Sequence, residues 1–146
     1  MHEAYHNMTV KTALPNNAVS ATANGSTIDT AGYYSMQFVV NVGTNAGNAF
    51  SGTDSLTFKV QEGDLADASD MADIAAGDYL GSKREDGTSW DRVLNATADD
   101  QEAYMIGIRL GNTKHYRRLV MTEAGTVSAV NVGALALLTH PTSAPV

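Results

Sequence analysis

The sequence predicts an all-β fold, a β-sandwich or jelly roll with extended N- and C-terminal arms. Three observations carry this expectation. Apolar residues alternate with polar ones at a period of two in Met36–Val42, Leu56–Val60 and Tyr104–Leu110, the pattern of a half-buried strand. Seven or eight such runs recur at spacings of about ten residues, as in sandwiches and barrels. The joints between them are built from Gly, Asn, Ser and Thr, residues that favour turns. A barrel is the main alternative, and strand order is not legible in a single sequence.

In chain order, residues 1–31 are rich in Ala, Asn, Thr and Ser and read as an arm with edge strands. Met8, Val10 and Leu14 suit a short strand that Pro15 would stop, and Val19–Ala23 suits another. The body spans residues 32–139. Its first strand is Gly32–Gly43, followed by a small-residue connection over 44–53 and a strand on Leu56, Phe58 and Val60. Residues 64–81 fit two descriptions. Leu65, Ala68, Ala72 and Ala75 could line a short helix capped by Asp64, or the segment is a loop with one helical turn. Residues 82–89 read as a charged turn. Trp90, Val93 and Leu94 suit a strand, and residues 96–102 an acidic connection. Tyr104–Met121 then reads as two strands joined by a tight Gly111-Asn112 turn. Val127–Val132 and Gly133–Thr139 are the last strands. Two prolines in the final six residues make 140–146 an extended tail.

The single domain expected at 146 residues needs no covalent staple, and the chain has no cysteine. Formal net charge is −7, which argues against a free nucleic-acid binder, because neutralising phosphates needs a dominant basic surface. The charge is uneven. Residues 62–102 hold twelve of the sixteen carboxylates, while Arg109, Lys114, Arg117 and Arg118 supply four of the nine basic residues within one short stretch. Such asymmetry suits patch-to-patch association; plain solvation of both regions is the competing reading. No run approaches the ~20 apolar residues of a membrane span. The opening MHEAYHNMTV lacks a basic segment followed by an apolar one, so no signal peptide is expected and synthesis in the cytoplasm is.

No local motif announces catalysis. His2-Glu3-Ala4-Tyr5-His6 has the H-E-x-x-H spacing of zinc proteases, but that motif needs a packed helix, and nothing precedes it to cover one. His115 or His140 would have to supply a third ligand without any supporting spacing. Asp64, Asp67, Asp70 and Asp73 recur every third position, whereas a calcium loop of the EF type wants acids at alternate positions. There is no G-x-S-x-G and no phosphate loop. No cofactor, metal site or enzymatic activity is expected. The side chains best suited to a protein partner are Arg109, Lys114, His115, Tyr116, Arg117 and Arg118, although alternation would put Arg117 and Arg118 on opposite sides of their strand. Tyr33, Tyr34 and Trp90 would form the platform of a carbohydrate-binding module, a second class of function.

The run from Gly107 through Lys114-His115-Tyr116-Arg117-Arg118-Leu119-Val120 is followed about twenty residues later by Leu137-Leu138-Thr139-His140-Pro141 and a closing Ala144-Pro145-Val146. This pattern resembles a group of small structural proteins of tailed bacteriophages and prophages. Val39–Gly43, Val60-Gln61-Glu62 and Ala72-Asp73-Ile74-Ala75 are similar to the same group. His115 stands where that group usually has Arg, and Thr139 where it usually has Gly. The resemblance implies a virion protein on the capsid surface, a decoration or cement protein whose partner is the major capsid protein. It implies a homo-oligomer, dimer or trimer, with no direct contact to nucleic acid and none to membrane. It adds His140 and Pro141 to the candidate contacts. Another virion component, such as a head–tail connector, a tail protein or the base of a fibre, is the alternative within the same class.

Overall fold

The computed structural model describes residues 7–19, 21–45, 50–80, 92–95, 103–111, 114–127 and 130–142. Within them the chain is nearly all strand, in two antiparallel sheets packed face to face. The expected all-β sandwich is what forms.

Sheet A has five strands in the order β1–β11–β4–β9–β7: Met8–Ala18, Val130–Pro141, Tyr33–Asn45, Ala103–Arg109 and Tyr79–Leu80. Sheet B is built on β10 (Tyr116–Ala124) and β5 (Ser55–Gly63). Two-residue β2 (Ala23–Asn24) and β3 (Ile28–Asp29) lie along β10, and β6 (Ala72–Asp73) and β8 (Arg92–Leu94) along β5. Alternation decides which side chains enter the core. Met36, Phe38, Val40 and Val42 of β4, Ala134, Ala136 and Leu138 of β11, and Ile106 and Ile108 of β9 face Leu56, Phe58 and Val60 of β5 and Leu119 and Met121 of β10; all are buried. No helix among the described residues is long and apolar enough to cross a membrane.

Gly25-Ser26 ties the two sheets together. Gly25 N donates to Leu119 O of sheet B at 2.7 Å, and Ser26 N donates to Ala13 O of sheet A at 2.8 Å. A Cβ on Gly25 would sit 2.6 Å from Ala13 O and 2.7 Å from Leu119 O, so only glycine fits.

Several sequence expectations change. Tyr104–Met121 is not a hairpin: β9 belongs to sheet A and β10 to sheet B. Both strands bury an apolar row, so each takes its own side of the core, and their connection links one layer to the other. Within the expected arm and edge strands of residues 1–31, Met8–Ala18 is an edge strand of sheet A, longer than expected. β1 runs through Pro15 to Ala18, with register irregularities between Thr12 and Leu14 and between Leu14 and Asn17. As an edge strand with a bulge there, it does not need the missing proline N–H. His140 and Pro141, expected in the tail, end β11, with Pro141 opposite Tyr33. Residues 64–78 take the loop alternative, not the helix: Asp70 accepts the N–H groups of Asp64 and Leu65, Asp67 accepts that of Ser69, and one 3-10 turn covers Ala76–Asp78. Spaced carboxylates close to their own backbone favour such turns over a helix interior. The H-E-x-x-H residues, Trp90, the 82–89 turn, the 96–102 connection and Ala144–Val146 lie outside the described residues.

Candidate functional site: one end of the sandwich

Three chain reversals meet at one end of the molecule. The first is the turn into β4. Asp29 Oδ1 accepts the Ala31 N–H at 2.9 Å, Tyr33 N donates to Thr30 O at 3.2 Å, and Gly32 takes φ +86°, a left-handed conformation suited to glycine. The second is the arch between Leu110 and His115. The third is the end of β11 at His140–Thr142. Backbone bonds lock them together. Thr30, 3% exposed, donates both its N–H and its hydroxyl to His115 O, at 2.8 and 2.7 Å. Thr142 N donates to Gly32 O at 2.8 Å and Leu110 N to Tyr34 O at 3.4 Å. A small cleft of about 170 Å³ opens among the three.

The candidate contact residues distribute as follows. Arg109 is exposed at the end of β9, opposite Ser35. His140 sits beside the same serine, its Nδ1 2.8 Å from Ser35 Oγ, and holds φ +55°. A non-glycine residue in that region is strained and is kept there by its surroundings. Lys114 pairs with Asp64, which raises the ammonium pKa above its usual value. His115 is exposed, and Tyr116 is half-buried as the first residue of β10. This end therefore gathers Arg109, Lys114, His115, Tyr116, His140 and Pro141. It does not present the two remaining arginines as contact groups. Arg117 is 2% exposed inside the sandwich, bound to Glu62 at 2.8 Å. Arg118 lies on the outer face of sheet B, with its guanidinium on Gln61 Oε1 at 2.7 and 2.9 Å. Alternation separates them, as the sequence implies.

Burial lowers the Arg117 pKa from its usual value, and the Glu62 carboxylate opposes that shift. Its Nη1 also donates to Lys114 O at 2.9 Å and Tyr116 O at 3.2 Å, so this arginine fastens the arch rather than meeting a partner.

The Tyr33–Tyr34 platform does not form. Tyr33 is half-buried with its hydroxyl 2.6 Å from Thr9 Oγ1, whereas Tyr34 is 59% exposed; successive strand residues face opposite sides. Ser35 and Thr30 are the members of this end that sequence reasoning missed, and Tyr34, singled out only for a sugar platform, joins them. Pairing between residues far apart in the chain, Ser35 with Thr139 and Thr30 with His115, is what recruits them, and no local pattern signals it.

No family model matches the chain, and no curated protein does. Among solved structures it is similar to the SPBc2 prophage-derived protein YomS, at 15% identity and TM-score 0.46, over 92% of this chain and 94% of that one. It is similar to PirA at 16% identity and TM-score 0.39, over 95% and 97% of the two chains. A family two carbohydrate esterase from Cellvibrio japonicus matches at 8% identity and TM-score 0.35, over 95% of this chain but 36% of the esterase. At these scores none of the three bears on function.

Proposed function

We propose that this chain is a bacteriophage capsid decoration protein that binds the assembled shell of the major capsid protein and stabilises it without performing a reaction. The observation that carries the reading is the meeting, at one end of a rigid sandwich, of the two stretches that resemble tailed-phage structural proteins. The arch inside Gly107–Val120 and the end of β11 at His140-Pro141 are bridged there by the Thr30–Tyr34 turn. That end offers exposed Arg109, His115, His140 and Tyr34 on a chain of net charge −7. Cationic and aromatic side chains are common anchors in protein interfaces.

The mechanism is mass action. A protein that binds only the assembled shell lowers the free energy of that state and leaves the dissociated subunits unaffected. The sandwich keeps its shape through its core, and the interlocked turns hold the contact groups in place, so little ordering entropy is lost on binding. Imaging of particles that contain the chain tests this. Many copies spread over the shell surface support decoration. A few copies confined to one vertex or to the tail would assign the chain to the neck or tail instead.

A further inference from the structure

The outer faces of the two sheets differ in kind. On sheet B the charged outward residues are paired with their neighbours, Lys59 Nζ lying 2.8 Å from Asp73, Gln61 donating to the same carboxylate at 2.8 Å and Arg118 binding Gln61, and the apolar Val120 on that face is buried. On sheet A, pairing sets Val10, Leu137, Gln37, Gly107 and Leu80 in one row, and Thr12, Leu135, Val39 and Met105 in the next. Met105 is 72% exposed, Val10 55%, Leu80 and Leu135 45% each. None of the chain's sixteen carboxylates lies on the five strands of sheet A. Of the large hydrophobic residues exposed among the described residues, most lie on the outer face of this one sheet.

We infer that this face is the contact between two copies of the chain, packed sheet on sheet about a two-fold axis. Charge favours that occupant. Two chains of net charge −7 repel wherever their carboxylates meet, and sheet A is the surface where they can meet with no carboxylate on its strands. Shape favours it too. Met105 projects from β9, and two residues along the same strand Gly107 leaves a depression of about 660 Å³ beside Leu80 and Gln37. A knob and a notch on one patch are what a self-complementary, isologous contact needs. Four long strands spaced at about 4.8 Å and seven residues at about 3.4 Å give a plane of roughly 19 by 24 Å, to which two-residue β7 adds a flank. With side-chain relief, such a plane supplies more than half of the ~800 Å² per partner of a standard interface. The contact is face to face rather than edge to edge. Edge strand β1 carries Lys11, Pro15 and two register irregularities, devices that block strand addition.

The test is sedimentation of the full chain, 15.4 kDa as a monomer, across a concentration series. The wild type is expected to form a dimer, and Met105→Asp with Leu135→Asp to remain monomeric with an unchanged circular-dichroism spectrum. A second variant guards against misfolding. Met105→Cys, in a chain with no other cysteine, should react with a charged thiol reagent more slowly as protein concentration rises. Tyr34→Cys, at the end of the sandwich, should react at a constant rate. A wild type that stays monomeric, or a dimer that survives both aspartates, overturns the inference. Slow labelling of the Met105→Cys variant in samples that sediment as monomer also overturns it, because the chain's own residues would then cover the face. None of these readouts uses a capsid, so the result stands apart from the proposed function.

Discussion

Arg117 of β10 lies directly opposite Glu62 of β5, and its Nη2 sits 2.8 Å from the Glu62 carboxylate, with the arginine side chain 2% exposed. A cation thus closes the apolar row Met121–Leu119 at the end of the sandwich where the arch begins. Removing one partner of such a pair costs far more than the pair contributes, because the other charge is left dehydrated. Glu62→Gln is expected to lower unfolding free energy by about 3 kcal/mol, read from denaturant midpoints. Arg117→Met, which removes the buried charge altogether, should cost less. The reverse order would show that the carbonyl bonds of Arg117 to Lys114 and Tyr116 outweigh its ion pair.

Gly25 gives a second test of the fold. Its Cα passes between Ala13 O of one sheet and Leu119 O of the other, so Gly25→Ala must push the sheets apart locally. The expected loss is about 1–3 kcal/mol, the usual cost of overpacking. An unchanged thermal midpoint would mean that the link between the sheets yields without strain.

Acid should destabilise the protein through its loop carboxylates. Asp54 is held below its usual pKa of 3.8 by the Thr126 N–H first and the Ser51 hydroxyl second, and Asp70 by the N–H groups of Asp64 and Leu65. Asp73 is lowered by Lys59 and Gln61. A depressed carboxylate contributes stability that is present above its unfolded value and is lost as pH falls through its folded value. The melting temperature should therefore hold from neutrality down to about pH 5 and decline below about pH 4. Melting curves over that range check it, and a rising midpoint below pH 4 would contradict it.

At the candidate contact end, His115→Glu combined with Tyr34→Ala should weaken attachment to shells by about tenfold, or ~1.4 kcal/mol, without altering the melting temperature. Both side chains are exposed, and the clamp on the arch uses the His115 carbonyl rather than its ring. Pull-down on assembled shells over a salt series measures it. Equal attachment of the variant would remove this end from the interface.

The core is legible in the sequence wherever strict alternation holds. Met36–Val42 and Leu56–Val60 present the same residues to the interior that their pattern implies. Arg117 and Arg118 diverge for the same reason. The arch is not legible, because Gly111 suits either a two-residue turn or a crossing between layers. Only the demand that Ile106–Ile108 and Leu119–Met121 line opposite walls of one core selects the arch. The contact end is legible only in part. Arg109 and His115 stand out by type and His140 through the resemblance, whereas Thr30 and Ser35 join them through pairing across most of the chain length, which no window of sequence records.

A decoration protein must bind the assembled surface and not its dissociated subunits. Co-sedimentation of the purified chain with expanded shells, with unexpanded shells and with free major-capsid subunits tests it most directly. Saturable binding to expanded shells and none to free subunits is expected. Equal binding to free subunits, or no binding to expanded shells at saturating concentration, would contradict it.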